Sequence, residues 1–109
     1  MKIIINKILP FRGYAAMAVK PYIFIQKKWY DSLCDKRGVL YRKTINHEKI
    51  HLAQQEELGL LKFLVIYIFW WIKDGYRQIP FEKEAYANAS DFTYLQRRKP
   101  YAYKKYIHY

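Results

Sequence analysis

The apolar and polar positions change style along the chain, from short runs near the start to long helical stretches after it. "YAAMAV" from Tyr14 to Val19 and "YIFIQ" from Tyr22 to Gln26 are short and rich in apolar and aromatic residues, which predicts two strands. Pro21 between them has no N–H to give to a ladder, so it points to an edge position or a break. Turn-forming residues fill "DSLCDKRG", Asp31 to Gly38, and "VLYRK", Val39 to Lys43, then reads as a third short strand. A small antiparallel sheet is expected.

From Thr44 the pattern lengthens. The Thr44 hydroxyl can accept a hydrogen bond from a first-turn N–H and so cap a helix, and the residues that follow are good helix formers up to Leu58. Gly59 bends or ends that helix, and "LLKFLVIYIFWWIK" is helical in length and stops near Gly75, which suits a C-terminal cap. Pro80 stands where a helix can begin, and "FEKEAYANASDFTYLQRR" places Phe81, Ala85, Ala89 and Phe92 on one stripe. The fold class is therefore α+β: a small antiparallel sheet packed with about three helices. With 109 residues, positions 1–109 form a single domain with one core and no room for a second.

The apolar stretch from Leu58 to Ile72 holds 15 residues. As a helix it covers about 23 Å, against the roughly 30 Å of a bilayer core. A core helix is expected, but a helix apolar on all sides is hard to surround in so small a protein. Contact with a membrane surface, or a homodimer through this aromatic helix, therefore stands beside the core assignment. Trp70, Trp71 and Lys73 at its end would suit a headgroup anchor.

Composition narrows the partners. A chain 52% hydrophobic and 19% aromatic is not a disordered one, and 20 Lys+Arg against 9 Asp+Glu give a net charge of +11. Such an excess favours nucleic acid, an anionic membrane surface or an acidic substrate. No helix-turn-helix, zinc-finger, RRM or KH pattern accompanies it, so nucleic-acid binding is not the expected function. The basic, tyrosine-rich tail from Gln96 to Tyr109 could stack on bases, sit at a lipid interface or pack its rings on the domain. Cys34 is the one cysteine, which excludes an internal disulfide and a cysteine-based zinc cluster; without a base partner it reads as structural. The opening "MKIIINKILP" is interrupted by Lys7, closed by Pro10 and followed by no small-residue cleavage site, so no signal peptide is read. A cytoplasmic protein, peripheral to the membrane at most, is expected.

Any metal must then use His, Asp or Glu, and "NHEKIH", Asn46 to His51, holds two of the three histidines. His47 and His51, one helical turn apart, project from one face and can reach a single ion. Zinc takes such nitrogen and oxygen donors tetrahedrally, and a catalytic site keeps the fourth position open for water. Glu48 stands beside that position without occupying it, suited to accept the proton of the water as general base. A third ligand six residues past His51 would be Glu57, but Gln54 stands where a chain-turning glycine is required, and on a continuing helix Glu57 points away. A later helix offers Glu82 and Glu84 in "PFEKEAYA". Glu82 shares the side of Ala85, Tyr86 and Ala89, which favours it over Glu84.

These two segments resemble the gluzincin metallopeptidases, in which an H-E-x-x-H helix is followed by E-x-x-[AS]-D on a second helix. Residues 82–86, "EKEAY", match that pattern up to the last place, and the resemblance implies Glu82 as the third zinc ligand. Tyr86 stands where the family has an aspartate that orients a ligating histidine. More closely, "NHEKIHLAQQEEL", an aromatic-rich helix and "PFEKEAYAN" resemble a group of small bacterial zincin-like proteins, over Thr44 to Asn88. The resemblance implies a minimal zincin-like domain that hydrolyses peptide bonds of a peptide or protein substrate, with an edge of the strand pair near Tyr14 to Gln26 along which the substrate aligns. A catalytically degenerate zinc-binding or membrane-surface module is the alternative. Among the neighbours, Gln55 could bond near the site or be a polar surface residue. Asn46 could adjust the helix start or be solvated, Tyr86 could donate to a developing oxyanion or simply pack, and His108 reads as a tail residue.

Overall fold

The computed structural model describes residues 2–6, 16–27, 30 and 38–107. Residues 31–37 with Cys34, the start of the first expected strand at Tyr14, and His108 lie outside the described residues. The fold is α+β. Strands β1 (Lys2–Asn6), β2 (Ala16–Val19) and β3 (Tyr22–Gln26) form one sheet in the order β1-β3-β2. Helices α1 (Val39–Leu58), α2 (Leu60–Asp74), α3 (Pro80–Asn88) and α4 (Tyr94–Arg97) follow, with 3₁₀ turns at Tyr76–Gln78 and Ala102–Tyr106.

The two strands read from the sequence pair antiparallel, Ala16 opposite Ile25 and Val19 opposite Tyr22. Pro21 sits in the tight turn between them, where a missing N–H leaves no gap in the ladder, and its carbonyl accepts from Lys2 N–H at 3.0 Å. The third strand is not Val39–Lys43. It is β1, which runs parallel to β3 with Ile3 opposite Ile23, so the sheet is mixed rather than wholly antiparallel.

Val39–Lys43 instead opens α1, which starts from Gly38 at φ 64° and not from Thr44. Tyr41 and Ile45 lie one helical turn apart on the face of the helix that packs on Ile23 and Ile25 of β3. Tertiary packing overrides the local strand preference. Gly59 (φ 82°) does end the helix, in a backbone conformation that side chains disfavour, and its N–H bonds to the Gln55 carbonyl at 2.7 Å.

The helix expected over Phe81 to Arg98 also breaks, after Asn88. Asn46 of α1 donates its side-chain amide to the carbonyls of Ala89 (2.8 Å) and Asp91 (3.0 Å), with that of Asn88 at 3.2 Å. Asp91 then accepts from the Thr93 N–H and hydroxyl, forming the turn into α4. Asn46 is thus buried and caps a neighbouring helix, neither solvated nor adjusting its own helix start. Phe81, Ala85 and Ala89 are buried as the stripe requires, whereas Phe92, past the break, is exposed under the Arg42 guanidinium.

Helix α1 lies at the centre. Ile45 faces the sheet, Ile50 meets Ala85 and Tyr94, and its C-terminal end meets the aromatic cluster of Phe63, Phe81 and Tyr103. Phe63 and Phe81 stack at 4.5 Å, and Tyr103 packs edge-on to Phe81 at 4.7 Å, so the basic tail folds back on the domain through its rings. Helix α2 is only half covered: Phe63 is its one buried residue, which corrects the expectation of a core helix. No helix among the described residues is long and apolar enough to cross a membrane.

One buried ionic network ties the tail to α1 and α3. The Arg98 guanidinium, 6% exposed, donates to Glu84 through Nε (2.5 Å) and to Glu57 (3.0 Å). Tyr94 donates to the same Glu84 oxygen, Oε2, at 2.7 Å, and Gln54 donates to Oε1 at 3.0 Å. Burial disfavours charge on Glu84, but these four-sided hydrogen bonds, Arg98 first among them, hold its carboxyl below the usual range. Removing one partner of such a pair strands the other. Arg98→Met should lower unfolding free energy by about 3–5 kcal/mol, read by urea denaturation. Loss of the exposed Lys20–Glu56 pair by Lys20→Met should cost under about 1 kcal/mol.

Candidate metal centre

Helix geometry brings His47 and His51 to one face of α1, with ring centroids 4.9 Å apart. Helix α3 crosses that face and delivers Glu82. The three donor atoms form a nearly equilateral triangle: His47 Nε2 to His51 Nε2 is 3.2 Å, His47 Nε2 to Glu82 Oε1 is 3.1 Å, and His51 Nε2 to Glu82 Oε1 is 3.0 Å. Three donors of a tetrahedral zinc at about 2.0–2.1 Å lie roughly 3.3 Å from one another, so a zinc ion fits this triangle with small adjustment. Among the described residues these three form the one group of His, Cys, Asp or Glu able to share an ion.

Two glutamates two residues apart on α3 face different environments. Glu82 Oε1 meets both imidazoles, and its Oε2 accepts from the Tyr67 hydroxyl of α2 at 2.7 Å. Glu84 turns into the Arg98 network instead and does not reach the histidines. Burial resists charge on Glu82, yet His51 and His47 outweigh it and hold this carboxyl well below the usual carboxylate range.

The ring of His51 is fixed from behind by Gln54, whose Oε1 lies 2.8 Å from Nδ1. The amide cannot turn round, because its Nε2 donates to the Phe81 carbonyl (3.1 Å) and to Glu84 (3.0 Å). With both N–H groups committed, Oε1 must accept, so Nδ1 carries the proton and Nε2 faces the triangle. Gln54 therefore holds His51 as a second-layer carboxylate holds a ligating histidine in metal sites. The ring of His47 has Tyr86 packed edge-on at 4.5 Å, and the Tyr86 hydroxyl is 3.2 Å from that of Tyr76.

Glu48 is buried beside the triangle, with Oε2 3.8 Å from His47 Nε2. Burial pushes its carboxyl above the ordinary range; charge on His51 and His47, and a hydrogen bond from the Ala18 backbone, pull the other way. A buried carboxyl raised in this way is a stronger base than an exposed one, which suits a general base.

A cavity of about 290 Å³ opens over the triangle, floored by His47, Glu48, His51 and Glu82, with β2 along one side and α2 along the other. Gln55 lines it too, but its amide is spent on β2: Nε2 donates to the Ala18 carbonyl (2.9 Å) and Oε1 accepts from Lys20 N–H (2.7 Å). The edge expected to align a peptide is thereby closed from Ala18 to Lys20. Ala16, of the same parity as Ala18, points its N–H and C=O to the same outer side.

Gln54, Tyr67 and Arg98 were not singled out as site residues from the sequence. Gln54 alone carried a local signal, a polar side chain three positions from His51 on the same helix; the other two are brought in only by tertiary packing.

Burial works against a charged His51, but the Glu82 carboxylate prevails and pushes its pKa up to about 9. The imidazolium must lose its proton to bind metal, so apparent zinc affinity should rise about tenfold per pH unit up to roughly pH 9 and level off above it. Titration against a competing chelator across pH measures this; levelling near 6.5 would contradict it. In the metal-free protein the same raised pKa stabilises the fold fully below 6.5, and that contribution is lost as pH rises through about 9. Gln54→Leu should weaken zinc about 10–100-fold by freeing the His51 ring, in the same titration. Compared with models of protein families, with curated proteins and with solved structures, the chain has no significant match.

Proposed function

We propose that this protein is a zinc-dependent metallopeptidase of the gluzincin type, in which His47, His51 and Glu82 hold the metal and Glu48 is the general base. What carries this is the convergence of two Nε2 atoms and one carboxylate oxygen within 3.2 Å of one another, on the floor of a cavity, with a second, buried carboxyl beside them. Zinc bound there supplies a Lewis acid that acidifies water and polarises a carbonyl.

The protein's own groups do the rest. Glu48 takes a proton from the attacking water and, on returning it, protonates the departing amine. Tyr67 holds Glu82 with one oxygen toward the histidines, and Gln54 holds His51 in the matching tautomer, so neither ligand has to reorganise. Tyr76 lines the cavity with its hydroxyl beside that of Tyr86, and is better placed than Tyr86 to face a substrate carbonyl. A peptide lying along β2 has the Ala16 end of the strand to pair with, and the apolar walls of α2 to receive a side chain.

The packing of Tyr86 on His47, at the place of the family's aspartate, favours one rival: a zinc-binding module without turnover. The two are separated on protein purified without added metal. Wild type and Glu48→Gln should each hold one equivalent of zinc, and His47→Ala should hold none. Hydrolysis of an unstructured peptide by Glu48→Gln should fall by about 10²–10⁴. Equal turnover in wild type and Glu48→Gln refutes the role of Glu48, and zinc absent from wild type refutes the site.

A further inference from the structure

Helix α2 has an inner face and an outer face of opposite fates. Phe63, Tyr67 and Trp70 turn inward to the aromatic cluster and to Glu82. Outward, Leu61 (78% exposed), Val65 (60%), Ile68, Phe69 and Ile72 (82%) form an exposed stripe at helical spacing. A contiguous apolar strip on a surface is where a partner or a membrane makes contact.

We propose that this outer face of α2 is an anchor that docks the protein on an anionic lipid bilayer, with the helix lying along the surface. The helix holds 15 residues, so it measures about 22 Å and cannot cross a core of roughly 30 Å. An apolar face of this length lies in the interfacial plane. Its lysines suit that position: Lys62 and Lys73 lie near the two ends of the stripe, and the Lys73 ammonium sits 5.9 Å over the Phe69 ring of the outer face, where a long basic side chain can hold its charge at headgroup level.

Charge selects the occupant. The protein carries +11, which an anionic surface attracts and a second copy of the same chain repels. The strip, about 22 Å by 10 Å, is also small beside the roughly 800 Å² per partner of a stable protein interface.

The docking face continues into the cavity. Leu64, Ile68 and Trp71 are exposed on α2 and also line the space above His47 and Glu82. Docking therefore turns the mouth of the cavity toward the lipid. The corollary, which rests on the peptidase assignment, is that the substrate is the membrane-proximal stretch of an anchored polypeptide.

The test uses the full chain, sedimented with vesicles of phosphatidylcholine alone or mixed with phosphatidylserine, over a salt series. Binding to the phosphatidylserine vesicles is expected, with weakening as salt rises and a blue shift of tryptophan emission. Leu61→Ser with Ile72→Ser, two exposed positions outside the cavity, should keep the circular dichroism spectrum and weaken vesicle binding by about tenfold or more. Failure to bind, or equal binding by the double variant, which would assign the attraction to the basic groups alone, overturns the proposal. So does a dimer in sedimentation equilibrium that the double variant dissolves. Glu48→Gln should bind vesicles as wild type does, so docking stands or falls separately from peptide hydrolysis. Hydrolysis of a soluble peptide by the double variant should be unchanged.

Discussion

A helix that buries polar side chains must find each of them a partner, and α1 buries Asn46, Glu48, His51, Gln54 and Gln55 together. Each unpaired group would cost about 1–3 kcal/mol, more where it is charged. The fold answers this demand element by element. Asn46 takes the carbonyls where α3 ends, Gln55 takes β2, and Gln54 takes both α3 and His51. Ile45 and Ile50 are the two apolar residues that this helix buries, against five polar ones, so polar complementarity helps to set where its neighbours sit. Helix α1 consequently works less as a hydrophobic strut than as a connector whose sockets admit one arrangement.

The two carboxylates of α3 show how that arrangement separates roles. Glu82 and Glu84 are close in sequence and both buried, but one is surrounded by imidazoles and a tyrosine hydroxyl, the other by a guanidinium, an amide and a phenol. Gln54 touches the surroundings of both. The Arg98 network thus supports the candidate metal centre from behind: through Glu84 it fixes the amide that fixes the ring of His51. Of the roles that the sequence left open for the tail, packing on the domain is the one seen at Tyr103, and Arg98 joins the support of the candidate site.

The candidate site was largely legible in the sequence because its information is local. A spacing of four on a helix sets two donors on one face, and the side shared by Glu82 with Ala85 and Ala89 chose between two glutamates. Tertiary partners carry no such local signature. Tyr67 is one of twelve tyrosines, and Arg98 is one of several basic residues in its segment. In the fold, the pair Ala16–Val19 and Tyr22–Gln26 was visible in short aromatic runs, and Gly59 and Gly75 ended helices as expected. Val39–Lys43 misled because branched and aromatic residues favour strands locally, while Tyr41 and Ile45 are spaced to pack as a helix on β3. The strand Lys2–Asn6 was overlooked because an apolar run beside a terminus was weighed only as a leader.

The Gln55 contact with β2 has an effect on the molecule's behaviour in a crowd. An outer strand with its carbonyl and N–H groups vacant is a template on which another chain can add itself, and sheets of small proteins grow into fibrils by that route. Here a side-chain amide from the neighbouring helix mimics the backbone of the missing strand at Ala18 and Lys20. The same clamp that shortens the track for an extended ligand also removes the Ala18 to Lys20 stretch of that border from self-propagating assembly.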